Sequence, residues 1–243
     1  MKISSLKSII TFTMVLMVAV SANAAPVDLS SWIKEGNGNW ILQSGNNAVL
    51  QTDNGPPTVF HNGQDSQGKT LSGKIRVQGS DDDYIGFVLG YNAGDLNNPN
   101  ADYILIDWKK QDQNFYGVAK KGLAISRVTG ELKDDAGAWA HDSSMGVTEL
   151  QRGATLGSTG WEYDIDYDFD ITFTPNLIEV YVNNNLELSI TGSFNDGSFG
   201  FYNYSQANVL YSAIDENVVP IPGAVWLFGS GLGALFFAKK KKG

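Results

Sequence analysis

The sequence contains no cysteine. Disulfide bonds are therefore excluded, and the chain must take its stability from a large apolar core or from a bound metal. Aromatic residues make up 12% of the chain, and glycine and asparagine are frequent. This composition is typical of a β-rich globular fold and not of a disordered chain.

Basic residues are also scarce. There are 17 lysines and arginines against 26 aspartates and glutamates, which gives a net charge of −9 and a sequence pI of about 4.6. An acidic surface repels phosphate groups, so nucleic acids and anionic lipid headgroups are excluded as partners.

The familiar catalytic motifs are missing. The two histidines, His61 and His141, lie in polar, loop-like surroundings, and no set of three or four ligands has the spacing of a zinc site. The sequence has no Gly-x-Ser-x-Gly elbow, P-loop or dinucleotide fingerprint. The tryptophans Trp108, Trp139 and Trp161 would either stack on sugar rings or fill a core between two sheets.

Long segments with helical periodicity are absent between residues 25 and 217. Short runs rich in β-branched and aromatic residues alternate with turn-forming residues instead, which predicts an all-β sandwich of two antiparallel sheets. The predicted strands are Lys74–Gln78, Tyr84–Tyr91, Tyr103–Trp108, Gly122–Val128, Asp168–Thr174, Leu177–Val182, Leu186–Ile190, Phe199–Tyr204 and Val209–Ala213. The segment from Ala25 to about Gly73 is predicted to hold one or two edge strands and loops.

Residues 1–24 have the pattern of a secretory signal peptide. Lys2 and Lys7 precede an apolar run, and Ala22-Asn23-Ala24 is a small-x-small cleavage site. We expect cleavage after Ala24; the alternative is an uncleaved N-terminal anchor.

Residues 218–243 form a three-part tail. A Val219-Pro220-Ile221-Pro222 motif is followed by an apolar segment of marginal membrane-spanning length and by four lysines. The segment predicts a C-terminal transmembrane helix whose lysines stay cytoplasmic. The tail resembles the PEP-CTERM sorting signals of Gram-negative bacteria, which implies transient anchoring in the inner membrane and cutting by an exosortase-type enzyme near the proline motif. The alternative is a permanent single-pass anchor.

Three adjacent carboxylates, Asp81, Asp82 and Asp83, precede the apolar strand Tyr84–Tyr91. Three crowded negative charges repel one another, and a bound Ca²⁺ ion, which takes six to eight oxygen ligands, would remove that cost. Side chains alternate along an extended chain, so at most two of the three face one ion directly. Asp102 and Asp107 bracket the next strand and are candidates for further ligands. A solvated acidic turn without metal is the alternative.

The span from about Gly73 to Ile214 resembles the C-terminal domain of thrombospondins. The specific match is the Asp81–Tyr91 block, and the other matching segments follow in the family's order: Tyr103–Lys109, Lys121–Leu123, Gly160-Trp161, Ile178–Tyr181 and Gly200–Gln206. The resemblance implies a concanavalin-like jelly-roll β-sandwich over residues 25–217, an extracellular location, calcium binding and adhesion. The calcium-binding repeats and the cysteines of that family are absent from this sequence.

Acidic and apolar residues alternate strictly from Glu162 to Ile171. Period-two alternation predicts a half-buried strand with Tyr163, Ile165 and Tyr167 facing the core and the acids facing solvent. Glu162-x-Asp164-x-Asp166 also approaches the Glu-x-Asp-x-Glu signature of jelly-roll β-glucanases, although its last acid is one methylene short.

These patterns predict an exported, calcium-binding, lectin-like adhesion or matrix protein that is not an enzyme. It would be sorted to the cell surface or the extracellular matrix, and its partner would be a polysaccharide or a matrix protein. The alternatives are a jelly-roll glycan hydrolase and a purely structural matrix protein.

Overall fold

The computed structural model describes residues 25–219. The predicted signal peptide (1–24) and the predicted transmembrane tail from residue 220 onward lie outside the described residues. Within residues 25–219, no helix is long and apolar enough to cross a membrane.

The described chain is built almost entirely of strands. They are β1 (Ala25–Pro26), β2 (Ile33–Glu35), β3 (Trp40–Leu42), β4 (Ala48–Gln51), β5 (Thr58–His61), β6 (Lys69–Val77), β7 (Tyr84–Tyr91), β8 (Asp102–Lys109), β9 (Gln113–Asn114), β10 (Val118–Ala119), β11 (Gly122–Thr129), β12 (Val147–Arg152), β13 (Tyr167–Phe173), β14 (Leu177–Val182), β15 (Asn185–Thr191), β16 (Ser198–Tyr204) and β17 (Val209–Val218). One short helix, α1 (Ala136–Ala140), and three single-turn 3₁₀ helices, at Leu29–Ser31, Asp95–Asn97 and Ser143–Met145, complete the elements.

The strands form two large sheets. The eight-stranded sheet has the order β15-β14-β13-β6-β17-β4-β3, with β1 added beside β17. The seven-stranded sheet has the order β12-β11-β8-β7-β16-β5-β2, and β9 and β10 form a separate hairpin. All named strand pairs are antiparallel. The predicted all-β sandwich of two antiparallel sheets is confirmed.

The main core lies between the two sheets and is rich in aromatic side chains. Phe201 stacks on Tyr211 with ring centroids 4.3 Å apart, and Phe87 packs on Phe169 at 4.5 Å. Trp108 and Trp161 are buried in the same cluster, so the core alternative for these tryptophans is confirmed. Such aromatic pairs add specific geometry to the apolar area that they bury.

A second apolar cluster covers the outer face of the seven-stranded sheet. Tyr84, Leu105 and Tyr202 point away from the main core and pack under α1, where Trp139 and Ala138 are buried. Strands β7 and β16 are consequently buried along their whole length. This explains why β7 reads as a continuous apolar run, and why β16 does so apart from Ser198 and Asn203, and not as an alternating pattern.

The segment between Ala25 and Gly73 holds more strands than predicted. It contains β1 to β5 and the first half of β6, and β4 and β5 lie inside the sheets and not at an edge. The prediction of one or two edge strands was wrong, because strands of two to four residues among asparagine, glycine and serine carry too few positions to show a period. Strand β12 was also missed. It lies at the edge of the seven-stranded sheet, where most of its side chains are exposed and polar, so its sequence shows no apolar alternation.

The predicted strand over residues 162–171 was wrong in its first half. Strand β13 begins at Tyr167, and Asp164 has a left-handed backbone with φ of 58°. That conformation breaks an extended strand. Residue Ile165 consequently lies on the surface with 48% of its area exposed, although the alternation placed it in the core.

This correction gives a direct test with two substitutions of the same type. Ile171→Ala removes a fully buried side chain and should cost about 2–5 kcal/mol of unfolding free energy. Ile165→Ala removes an exposed one and should cost less than about 0.5 kcal/mol. Urea unfolding of both variants measures the difference, and a large loss for Ile165→Ala would mean that this segment is a core strand.

Candidate functional site

Strand register brings four loops together at one end of the seven-stranded sheet. Tyr84 at the start of β7 pairs with Lys109 at the end of β8 and with Tyr204 at the end of β16. Asn203 of β16 pairs in turn with Thr58, the first residue of β5. The loops that adjoin these strand ends, at residues 52–57, 78–83, 110–117 and 205–208, therefore meet.

The acidic turn Asp81–Asp83 lies in the second of these loops. Each of the three residues offers a carboxylate oxygen, and these oxygens lie within 4.8 Å of one another. Asp81 and Asp82 are half-buried, while Asp83 is buried. The donor set is three carboxylates at close range, which is the chemistry that Ca²⁺ prefers.

The turn also has neutral and cationic partners from the protein itself. The buried ammonium of Lys109 contacts Asp83 Oδ1. Gln113 Nε2 donates to Asp82 Oδ1 over 2.5 Å, and Asn54 Nδ2 donates to Asp81 Oδ2. Burial raises the pKa of Asp83 and lowers the pKa of Lys109, and the contact between the two groups opposes both shifts. One of the three negative charges is thus balanced within the protein.

Asp102 lies far from this turn. It is the first residue of β8, whereas Lys109 is the last, and seven steps of about 3.3 Å separate the two positions. The Asp102 carboxylate receives two hydrogen bonds of 2.6 Å from Arg127 and one of 2.9 Å from Asn195. Hydrogen bonding to Arg127 holds the pKa of Asp102 below its usual range. Asp102 therefore forms a bidentate ion pair with Arg127.

Asp107 lies two residues before Lys109 on β8 and is therefore closer to the turn than Asp102, but its side chain has a different partner. It is buried beneath α1, and its Oδ2 lies 2.9 Å from His141 Nε2. The structure therefore brings Asp81, Asp82 and Asp83 together and does not bring Asp102 or Asp107 to them.

His141 lies in a loop with polar partners, as the sequence predicted, but its side chain is only 6% exposed. It caps α1 in a left-handed conformation and lies between Asp107 and Glu149, whose carboxylate also contacts Arg152 at 2.8 Å. Burial alone would lower the pKa of His141, but the two carboxylates outweigh burial and raise it to about 9. The charged imidazolium ties the covering segment to the sheet.

The other histidine, His61, is also buried, inside β5. Its Nδ1 lies 3.2 Å from Ser198 Oγ, and its Nε2 lies 3.5 Å from Glu35. Serine, histidine and glutamate in this order are the components of a nucleophilic triad. Ser198 is only 3% exposed, however, so a substrate has no access to its hydroxyl in this structure.

The Glu162-x-Asp164-x-Asp166 motif lies on an exposed turn and each acid has a basic partner. Glu162 contacts Lys110 over 2.5 Å, and Asp164 and Asp166 lie 3.3 and 3.5 Å from Arg76. The charges of these acids are therefore partly neutralised by Arg76 on β6 and by Lys110 in the loop after β8. The acids do not form a row along one face of a sheet.

A groove of about 560 Å³ opens beside the acidic turn. This volume is in the range of ligand-binding clefts. Its lining includes Asn54, Gln113, Phe115, Asp134, Tyr204 and Ser205. Phe115, from the β9–β10 hairpin, is 70% exposed and contacts buried Trp139 edge to face.

Two residues connect the groove to the turn. Asn54 and Gln113 both line the groove, and each donates a hydrogen bond to one carboxylate of the turn. No sequence signal marks Gln113, Asn54 or Phe115 as site residues. Gln113 and Phe115 belong to the β9–β10 hairpin, and only the sheet register brings that hairpin to the loop of Asn54.

Comparison with known proteins gives a family and a fold. The family model described as thrombospondin C-terminal region matches residues 35–218. No curated protein matches the sequence.

Several solved structures share the architecture. The carbohydrate-binding module CBM66 from Bacillus subtilis is 10% identical, with a TM-score of 0.54 over 77% of this chain and 95% of that one. The exoplasmic/lumenal domain of VIP36 in its Ca²⁺/Man2-bound form is 17% identical, with a TM-score of 0.54 over 79% of this chain and 82% of that one. A Bacillus subtilis protein of unknown function with a galectin-like fold is 8% identical, with a TM-score of 0.53 over 81% of this chain and 94% of that one. At these identities the likeness establishes a lectin-like fold.

The buried His141 predicts a pH dependence of stability. Its folded pKa of about 9 exceeds the unfolded value of 6.5, so its contribution is complete below pH 6.5 and is lost as the pH rises through 9. The upper limit of this contribution is about 3 kcal/mol. Urea unfolding between pH 6 and pH 10 should show this loss in the native protein and not in His141→Gln. Parallel pH profiles of the two proteins would contradict the proposed ion pairing.

Proposed function

The chain belongs to the thrombospondin C-terminal family, and from this premise we propose that it is an exported lectin-like protein that binds a polysaccharide in the Phe115 groove. The observation that carries the proposal is an exposed aromatic ring in a polar groove at the loop end of a lectin-like sandwich. Sugar rings stack their apolar faces on aromatic side chains and form hydrogen bonds to carboxamides and carboxylates through their hydroxyls. The groove offers both kinds of contact.

The solved structures of similar fold support this direction. One is a carbohydrate-binding module and another was determined with Ca²⁺ and Man2 bound. Their ligands are properties of those proteins, so the argument for this chain depends on the groove's own lining.

We further propose that Asp81 and Asp82 hold a Ca²⁺ ion, with Asp83 as a third contributor. Their oxygens are close enough to share one ion. Because Lys109 already balances part of the negative charge, we expect weak binding, with a Kd on the order of 0.1–1 mM, as in extracellular calcium modules. Calcium would stabilise the turn electrostatically and thereby fix the loop wall of the groove.

The cellular location is proposed from the sequence alone. The signal peptide predicts export, and the proline motif, apolar segment and lysines predict exosortase-type sorting to the cell surface or matrix. Before processing, the tail would hold the protein in the inner membrane.

We propose a binding role and not a hydrolytic one. The two acids of a retaining glycosidase must face each other across the scissile bond at about 5–5.5 Å. The candidate acids Glu162 and Asp166 instead contact Lys110 and Arg76, and neither acid lines the Phe115 groove.

Binding in the groove should depend on Phe115. Phe115→Ala should weaken retention on the recognised polysaccharide about tenfold, since a good stacking contact contributes about 1–1.5 kcal/mol. The melting temperature should change little because the ring is largely exposed. Affinity electrophoresis measures the effect, and Val118→Ala, another exposed residue of the hairpin, is the control. If both variants were retained equally, the polysaccharide would not bind at Phe115 and the binding site would lie elsewhere.

Calcium should raise the melting temperature of the mature domain. At a tenfold excess over Kd the stabilisation is about 1.4 kcal/mol, which corresponds to about 3–6 °C for a domain of this size. The double variant Asp81→Asn, Asp82→Asn should lose the shift, whereas Asp65→Asn, an exposed acid in another loop, should retain it. If calcium still raised the melting temperature of the double variant, the ion would bind elsewhere. If calcium did not raise the melting temperature of the native domain, the proposed site would not exist.

Processing of the tail can be read from the mass of the mature protein. In a host that has the sorting enzyme, surface protein should lack the residues that follow about Pro222. An intact mass that includes Lys239–Lys242 would indicate a permanent anchor.

A further inference from the structure

We propose that the Phe115 groove selects polysaccharides that carry unacetylated amino sugars, whose ammonium groups are positively charged. The inference rests on the proposed function, because it names the ligand class of the same groove. It is carried by the charge of the lining residues and by the exposed aromatic ring of Phe115.

The charge of the lining is negative. Among the described residues that line the groove, Asp134 alone is charged. Tyr204 donates a hydrogen bond of 2.6 Å to Asp134 Oδ1 and so holds the carboxylate in place at the groove. Behind the wall lie the carboxylates of Asp81 and Asp82, which contact Asn54 and Gln113. Asp134 attracts a cationic ligand and repels a uronate-containing one, and Asp81 and Asp82 add to this attraction only while no calcium is bound to them.

Both carboxamides of the wall are hydrogen-bonded within the protein through their oxygens as well as their nitrogens, since Gln113 Oε1 accepts from Lys109 Nζ and Asn54 Oδ1 accepts from Ser205 Oγ. The amide nitrogen of Asn54 donates to Asp81, and that of Gln113 donates to Asp82. An ammonium has three donors and no acceptor, whereas an acetamide carbonyl or a carboxylate requires donors. The Asp134 carboxylate, which accepts hydrogen bonds and donates none, is therefore the lining group that fits an ammonium better than an N-acetyl group.

No lysine or arginine of the protein competes for this position among the described lining residues. Lys109 is fully buried and contacts Asp83, and Lys110 contacts Glu162. Lys133, the neighbour of Asp134 in the sequence, contacts Glu131. These three lysines are thus paired with other carboxylates.

The interior of the protein already binds an ammonium with the same kinds of groups. The Nζ of Lys109 lies 4.2 Å from the ring centroid of Trp139 and 4.7 Å from that of Tyr84, and it donates to Gln113 Oε1 over 2.5 Å. Carboxylate, carboxamide and aromatic faces together stabilise a desolvated ammonium. The groove lining contains a carboxylate and an aromatic ring of the same kinds, in Asp134 and Phe115.

A lysine-rich peptide carries the same ammonium chemistry, but the aromatic platform favours a sugar. Phe115 is 70% exposed and lies next to Tyr116, with ring centroids 4.3 Å apart. A flat, exposed ring of this kind matches the apolar face of a sugar, and an extended lysine side chain would leave most of it uncovered.

The test compares four probes of similar length by calorimetric titration of the full mature domain: a β-1,4-glucosamine hexamer, its fully N-acetylated counterpart, a polyuronate hexamer and hexalysine. The variants are Asp134→Asn, Asp65→Asn as a matched loss of one exposed negative charge, and Phe115→Ala. We expect the glucosamine hexamer to bind most tightly. Asp134→Asn should weaken it about fivefold, in line with a surface charge pair, and should leave the acetylated hexamer unchanged.

Each other outcome has a distinct meaning. An equal loss in Asp134→Asn and Asp65→Asn would indicate unspecific attraction to an acidic protein and would overturn the inference. Equal binding of the glucosamine and acetylated hexamers, still dependent on Phe115, would overturn the inference and leave the proposed function standing. Tighter binding of hexalysine would identify a peptide site, and no Phe115-dependent binding of any sugar would count against the proposed function itself.

Discussion

The buried contact between Lys109 and Asp83 is the interaction on which the site depends. Lys109 is 0% exposed and its partner carboxylate 6% exposed, so neither charge is solvated by bulk water. A buried charge without its partner costs several kcal/mol, and the chain therefore surrounds the ammonium with a carboxylate, a carboxamide and two aromatic rings. Two of these groups, Gln113 and Trp139, also line the groove. The pairing of Lys109 therefore fixes two of the residues that shape the groove.

The segment that covers the outer face of the seven-stranded sheet contains a second pairing of a buried charge, that of Asp107 with His141. Asp107 faces outward from β8 and would be stranded under α1 without His141, which pairs with it and with Glu149. Tyr84 adds a hydrogen bond of 2.6 Å from its hydroxyl to the carbonyl of Trp139. These contacts fix α1 and the loop around it, and Trp139 then supports the exposed ring of Phe115. The outer face of the sheet is accordingly a second core that supports the binding end.

The elements that the sequence predicts well are those with their own period or apolar run. Strands β7 and β14 were placed with their observed ends, and the family and the lectin-like sandwich were correct. The false strand over 162–166 shows the limit of such patterns. Alternation predicts extended backbone, but a left-handed Asp164 and a basic partner on β6, Arg76, are not encoded in that segment. The acidic turn was visible because its three acids are adjacent, whereas Asn54, Gln113, Phe115 and Asp134 are up to eighty residues apart and meet only through strand register.

The most direct test of the account follows the side-chain amide resonances of Asn54 and Gln113 by NMR while polysaccharide fragments are added. The account predicts that both amides and the Phe115 ring respond together at saturating ligand, since the two carboxamides join the groove to the acidic turn. The amide of Gln67, which donates to Phe194 in a different loop, should stay unchanged. Ligand binding that perturbs Gln67 and leaves Asn54 and Gln113 unaffected would contradict the central claim.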